Sequence, residues 1–315
     1  MSRARWAVFA YHTFGARALE ALLARDERVV AVVTHADDPS EGDWFESVAD
    51  IARSHHLPVL TPGSPNGPEV REALAPLDAD VLLSVWYRRL LGPELLGLPK
   101  AAALNLHGSL LPAYRGRAPV NWVLVNGESR TGVTLHHMTP EADAGDIVAQ
   151  EPIDIDPEDT ALSLYRRIVK VGVDLLLQWY PRILDGTAPR VPQDPSRATV
   201  FGCRRPEDGR VRWEWPAQRI VNMVRALTHP FPGAFVGDGD TRLYLWAGTV
   251  ERATESGAAP GTLLAIRPGR GVTVATGHGV LALTVVQALC KPEEPAEAWA
   301  LRLGLRPGKV LGGHA

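Results

Sequence analysis

Two apolar runs, Val29-Val30-Ala31-Val32-Val33 and Val81-Leu82-Leu83-Ser84-Val85, constrain the fold more than any other part of this chain. Neither alternates apolar with polar residues, so neither suits a strand with one wet face. Both suit strands covered on two faces, as in a parallel sheet flanked by helices. Trp6–Ala10, Pro58–Leu60 and Ala101–Leu106 extend the series. Segments with helical spacing separate them, at Ala16–Leu23, around Trp44–His56 and at Glu69–Ala75. This order predicts an α/β, Rossmann-like domain with a mainly parallel sheet and right-handed crossovers. The first turn, Tyr11-His12-Thr13-Phe14-Gly15, is not Gly-x-Gly-x-x-Gly, which argues against a nicotinamide dehydrogenase.

A long helical pattern follows over Thr160–Leu184, with Asp159 or Thr160 as its cap and Leu164, Ile168, Val171 and Leu175 on the core side. Pro189, Pro192 and Pro195 then mark a looser stretch. The boundary is expected there, giving an N-terminal catalytic domain over 1–195 and a C-terminal subdomain over 196–315. The later half holds short β-like runs at Val211–Trp215, Leu243–Trp246, Gly261–Ile266, Val272–Ala275 and Leu281–Val286, with one helix at Gln218–Leu227. That spacing predicts a smaller open β-barrel, OB-like in character.

With 45% hydrophobic and 22% charged residues the chain is expected to fold, and a net charge of −3 gives no general attraction to nucleic acid or anionic membrane. Cys203 and Cys290 make no disulfide framework and have no metal-ligand spacing, so they read as free thiols of a reducing compartment. No signal core opens the sequence and no 18-residue apolar run occurs, so a cytoplasmic location is expected.

The chemistry concentrates in Asn105-Leu106-His107-Gly108-Ser109-Leu110-Leu111-Pro112 and the downstream Asp143-Ala144-Gly145. An amide can hold a developing oxyanion, an imidazole can move a proton, and a carboxylate can orient that imidazole and stabilise its cation. Asn105 and His107 lie two residues apart near the carboxyl end of a strand. They therefore share a face, at the edge where open parallel sheets bind ligands. The pairs His55-His56 and His136-His137 do not present two ligands together, because neighbours on a strand or helix point apart, and no metal is expected.

Asn-x-His-Gly-Ser-Leu-Leu-Pro with a later Asp-x-Gly resembles the signature of the 10-formyltetrahydrofolate-dependent formyltransferases. Further similar stretches are Phe9–His12, Thr34-His35, Tyr87-Arg88, Arg115–Pro119, Asn121–Glu128, Thr131–His136, Asn222–Ala226 and Pro232–Phe235. The resemblance covers roughly residues 5–305 and is greatest to the enzymes that formylate UDP-4-amino-4-deoxy-L-arabinose.

The resemblance implies 10-formyltetrahydrofolate as co-substrate, a nucleotide-linked amino sugar as acceptor and a role in lipopolysaccharide or other glycan synthesis. It is compatible with a homodimer. It gives Asn105, His107 and Asp143 catalytic roles. It places Arg89, Leu90, Leu91 and Arg117 on one side of the folate, and Thr139, Pro140, Glu141, Ala142 and Asp143 on the other. Methionyl-tRNA formyltransferase is the alternative. Against it stand the acidic 36–43 segment, where those enzymes carry a basic loop, and Arg117, where they tend to have a small residue. An inactive folate- or nucleotide-binding module is the remaining reading, and the intact trio speaks against it.

Overall fold

The computed structural model describes residues 3–41, 44–254 and 256–311, so Gly42 and Asp43 of the acidic segment lie outside the described residues. The chain divides into two compact units. One comprises residues 1–119, 130–154 and 165–202; the other comprises 120–129, 155–164 and 203–315.

The elements run in chain order as β1 (Arg5–Ala10), α1 (His12–Ala24), β2 (Arg28–Val33), α2 (Val48–Ser54), β3 (Val59–Leu60), α3 (Pro68–Leu74), β4 (Val81–Val85), α4 (Pro93–Leu96) and β5 (Ala102–His107). Then come β6 (Arg115–Gly116), α5 (Pro119–Val125), β7 (Arg130–His137), β8 (Ile147–Asp154), α6 (Ala161–Leu184) and β9 (Val200–Phe201). The last are α7 (Ala217–Leu227), β10 (Ala234–Val236), β11 (Leu243–Arg252), β12 (Leu263–Arg267), β13 (Gly271–Ala275), β14 (Val280–Ala288), β15 (Glu294–Pro295) and α8 (Ala296–Arg302).

The first unit holds a seven-stranded sheet in the order β3-β2-β1-β4-β5-β7-β8. The five strands from β3 to β5 are parallel, while β7 and β8 join antiparallel. It is the Rossmann-like, mainly parallel sheet that the apolar runs predict. Strand order reverses between β1 and β4, and the candidate site lies along the same carboxyl edge of the sheet, at the end of β5. Trp6, Val8, Phe9, Val32, Val33, Val81 and Leu83 are fully buried. Each such side chain contributes about 1.5–3 kcal/mol of hydrophobic stabilisation.

Helix α2 is shorter than the Trp44–His56 pattern suggests. The Ser47 hydroxyl accepts the Asp50 backbone N–H at 3.2 Å and caps the helix there, and His56 ends it with φ +56. The hairpin β7–β8 carries the sheet two strands further on its β5 side.

The second unit contains an antiparallel sheet in the order β10-β11-β14-β13-β12, with β15 added to β14. Its two end strands, β10 and β12, do not pair with each other among the described residues, so the sheet is open; isolated bridges, Arg210 to Phe235 and Thr262 to Val310, flank them. Residues 120–129 and 155–164 belong to this unit by specific contacts. Asn121 Nδ2 donates to the Ala226 carbonyl at 2.8 Å, Arg225 donates to the Asp156 carbonyl at 3.1 Å, and the Arg204 guanidinium lies 4.5 Å from the Trp122 ring centre. The expected strand over Val211–Trp215 does not form. Its apolar residues face the core without a ladder: Trp213 is buried and its Nε1–H donates to the Leu311 carbonyl at 2.8 Å. Single bridges at Arg210 and Pro216 bracket it. Among the described residues no helix is long and apolar enough to cross a membrane, and no group of three or more His, Cys, Asp or Glu is placed to hold a metal ion.

Candidate active site

Strand β5 ends on His107, beside β4 on one side and β7 on the other, with Asn105 opposite His136 in the antiparallel register. The chain leaves β7 and turns back through residues 138–146 before β8. Within that turn Asp143 takes φ +52, in the left-handed region that ordinary side chains avoid. Gly145 makes the turn sterically feasible, because a Cβ there would stand 2.0 Å from the His137 carbonyl oxygen. The turn brings Asp143 to the two β5 residues, and the three predicted catalytic side chains meet.

Asn105 Nδ2 lies 3.2 Å from Asp143 Oδ1 and 3.1 Å from His136 Nε2. His107 Nδ1 and His136 Nε2 each lie 3.5 Å from the same carboxylate oxygen. The other carboxylate oxygen accepts the Gly116 backbone N–H at 2.8 Å. Gly116, at φ +96, can occupy that position because any Cβ would stand 2.3 Å from the Phe201 carbonyl oxygen.

Hydrogen-bond partners assign the tautomers. His136 Nδ1 is 2.8 Å from the His137 carbonyl, which only accepts, so Nδ1 carries hydrogen and Nε2 is free to accept from Asn105. His107 Nε2 is 2.7 Å from the Tyr114 carbonyl and carries hydrogen for the same reason. Its Nδ1 then faces the carboxylate, and a proton on Nδ1 completes an imidazolium–carboxylate pair. Burial alone would push the Asp143 carboxyl up. The charge of His107, the contact with His136 and the Gly116 N–H outweigh it and hold the group well below the usual carboxylate range.

The expected folate-facing residues occupy three connections. Arg89, Leu90 and Leu91 lie between β4 and α4, where Leu91 is buried and Leu90 is exposed. Asn66 pins that loop, donating to the Leu90 carbonyl at 3.0 Å and accepting from the Gly92 N–H at 2.6 Å. The Arg117 guanidinium donates to the Arg88 carbonyl, which ties the segment after β6 to the same loop. Thr139, Pro140, Glu141 and Ala142 form the turn that ends in Asp143, with the Thr139 hydroxyl donating to the Glu141 carbonyl at 3.0 Å.

Two features escape the sequence reading. One is His136, whose place opposite Asn105 depends on an antiparallel pairing that no local pattern announces. The other is a second polar cluster at the carboxyl ends of β1, β2 and β4. Arg88 pairs with both oxygens of Glu41 at 2.6 and 2.9 Å, and His12 Nε2 lies 3.1 Å from Glu41 and 2.9 Å from Arg88. His12 stacks on Phe45 with ring centres 3.9 Å apart, and His35 stacks on Tyr87 at 4.3 Å. Burial, reinforced by the Arg88 charge, lowers both histidines to about 4.

The formyl transferase family matches residues 4–180, and the formyl transferase C-terminal domain family matches residues 204–303. Among solved structures, the N-formyltransferase from Helicobacter canadensis, in complex with folinic acid and dTDP-3-aminofucose, superposes with a TM-score of 0.70 at 20% identity. The match covers 88% of this chain and 98% of that one. WlaRD, a sugar 3N-formyl transferase determined with dTDP and 5-N-formyl-THF, gives 0.69 at 16% identity over 93% of this chain and 100% of its own. HypX from Aquifex aeolicus, in complex with tetrahydrofolic acid, gives 0.65 at 20% identity over 100% of this chain and 50% of its own. At these identities the structures establish a shared fold. The N-terminal family match alone spans more than half of the sequence, and on that ground the chain belongs to the formyl transferase family.

Proposed function

We propose that this protein transfers a formyl group from 10-formyltetrahydrofolate to the amine of a nucleotide-linked amino sugar. The convergence of Asn105, His107 and Asp143 at the end of β5, each within 3.5 Å of another member, carries the reading. Two similar structures, the Helicobacter canadensis N-formyltransferase in complex with dTDP-3-aminofucose and WlaRD, a sugar 3N-formyl transferase, support the acceptor class.

In this reading the neutral amine attacks the formyl carbon, and the carbonyl oxygen gains charge as the carbon becomes tetrahedral. Asn105 Nδ2 and His107 are the donors for that oxyanion, each turning one N–H to it from the protein acceptor it holds here. Collapse breaks the bond to the folate nitrogen. The proton shed by the amine passes through the His107–Asp143 pair and goes to that nitrogen, so the exchange is neutral overall. Asp143 holds His107 in orientation and balances its positive form. The pterin sits against the 89–91 loop and Arg117 on one side and the 139–143 turn on the other. UDP-4-amino-4-deoxy-L-arabinose or a similar 4-amino sugar is our first acceptor. The work is cytoplasmic glycan-precursor synthesis and requires no metal.

The test is an assay of formyl transfer from 10-formyltetrahydrofolate to a panel of UDP-4-amino and dTDP-3-amino sugars, with methionyl-tRNA alongside. One nucleotide amino sugar should be formylated with the highest kcat/KM. Faster formylation of methionyl-tRNA at physiological salt overturns the acceptor assignment. No transfer to any acceptor overturns the enzyme reading.

A further inference from the structure

We propose that Gln193 is a positioning residue for Asp143, and this rests on the catalytic reading of Asp143 given above. Gln193 lies in the stretch between the two matched family segments, where the prolines suggest a plain connection. Its neighbours from Val191 to Arg197 are exposed, and Gln193 alone among them is half-buried.

The side chain reaches the back of the candidate site. Gln193 Nε2 donates to the Asp143 carbonyl at 2.7 Å and to the Gly145 carbonyl at 2.7 Å. A carboxamide nitrogen has two hydrogens, and each has an acceptor here. Its Oε1 accepts from Arg115 Nε at 3.1 Å and Nη2 at 2.8 Å. Arg115 is itself buried, and the next residue, Gly116, supplies the N–H that binds the Asp143 carboxylate. One amide therefore closes a ring through Arg115, Gly116 and Asp143. It holds the main chain of the carboxylate while Gly116 holds its side chain.

This clamp has a specific burden. Asp143 sits at φ +52, a conformation that costs a non-glycine residue of order 1 kcal/mol or more unless its surroundings impose it. The two Gln193 bonds span the residue and fix the carbonyls at 143 and 145. The rest of the stretch anchors Gln193 in place. Val191 and Ile147 exchange backbone hydrogen bonds of 2.8 and 2.9 Å, and Thr199 accepts from Arg115 N–H at 2.8 Å through its carbonyl. Its hydroxyl accepts from Tyr114 N–H at 2.8 Å, so the loop whose carbonyl holds His107 is gripped as well.

The experiment compares Gln193→Glu, Gln193→Ala and Asp143→Asn in the whole chain, measuring formyl transfer to the best acceptor of the panel and the melting temperature. Gln193→Glu keeps an acceptor for Arg115 and removes both N–H donors. We expect kcat to fall roughly 10- to 100-fold, as for displaced catalytic groups, with KM for folate and acceptor changed less than about threefold. Gln193→Ala should lose at least as much, and adding it to Asp143→Asn should cost little more than Asp143→Asn alone. Wild-type kcat in Gln193→Glu and Gln193→Ala, beside a disabled Asp143→Asn, overturns the Gln193 proposal alone. A lower melting temperature in both variants with kcat unchanged makes the residue a structural brace and overturns it too. Wild-type kcat in Asp143→Asn instead overturns the catalytic reading of Asp143.

Discussion

The carboxyl edge of the first sheet carries two polar clusters, and they are built on opposite principles. Around Asp143, the His107 charge, the His136 contact and the Gly116 N–H keep the carboxyl ionised, while Asn105 also donates to the carboxylate and Gln193 to the main-chain carbonyl. Around His12 and His35, aromatic rings cover the imidazoles, and burial with the Arg88 charge keeps them neutral. In the first cluster a histidine faces a carboxylate that is held ionised. In the second, Glu41 already pairs with both ends of Arg88, which also approaches His12 and caps His35. Histidine content alone thus says little. The partner across the ring decides whether an imidazole is equipped for proton traffic or for packing.

The comparison breaks most readily in turnover. Asn105→Ala, His107→Ala and Asp143→Ala should each lower kcat by roughly 10²–10⁴-fold in the formyl-transfer assay. His12→Phe, which keeps the stack on Phe45, should lower it less than about tenfold. Equal losses at His107 and His12 would erase the distinction between the clusters. Next comes the backbone on which the first cluster depends. Gly145→Ala drives a methyl group into the His137 carbonyl and should cost about 3 kcal/mol or more in denaturant unfolding. Wild-type stability and activity in that variant would show that the turn can be rebuilt without its close approach.

Acid separates the clusters in a second way. His12 and His35 bind protons more weakly folded than unfolded, so their contribution to stability is complete above about pH 6.5 and is lost as pH falls toward about 4. Asp143 has a depressed folded pKa, so its contribution persists above the unfolded value near 3.8 and is lost at lower pH still. His12→Phe should therefore flatten the decline of melting temperature between pH 6.5 and 4, and Asp143→Asn should flatten only the decline below that. An Asp143→Asn effect confined to pH 5–6.5 would contradict the assignment. The smallest effect concerns Arg88→Met. Its partly exposed pair with Glu41 should cost about 1 kcal/mol. In NMR titration His12 should move up from about 4 but stay below its usual range, because burial is the larger cause. A fully normal His12 in that variant would put the charge of Arg88 first.

Much of this architecture is legible in the chain because its causes are local. Val29–Val33 and Val81–Val85 are apolar on both faces, and they form β2 and β4 of a parallel sheet. The step from Asn105 to His107 shares a face because strands repeat every two residues. What the sequence conceals depends on distant partners. His136 matters through its antiparallel register with Asn105, and Gln193 through a turn fifty residues earlier. The alternating Val211–Trp215 run misleads because it satisfies burial in a turn, where Trp213 finds the Leu311 carbonyl, instead of in a ladder.

The short pairing of β6 with β9 bears on how such a chain can be cut and rejoined. Residues 199–201 grip the loop that carries Tyr114, Arg115 and Gly116, so they travel functionally with the first family segment although they follow its helix α6. A chimaera that imports a new C-terminal portion at residue 180 would exchange those contacts for foreign ones. A junction placed at Gly202 keeps them native. The seam for grafting this first unit onto another body therefore lies after the last residue that pairs with β6, some twenty positions beyond the end of the matched family segment.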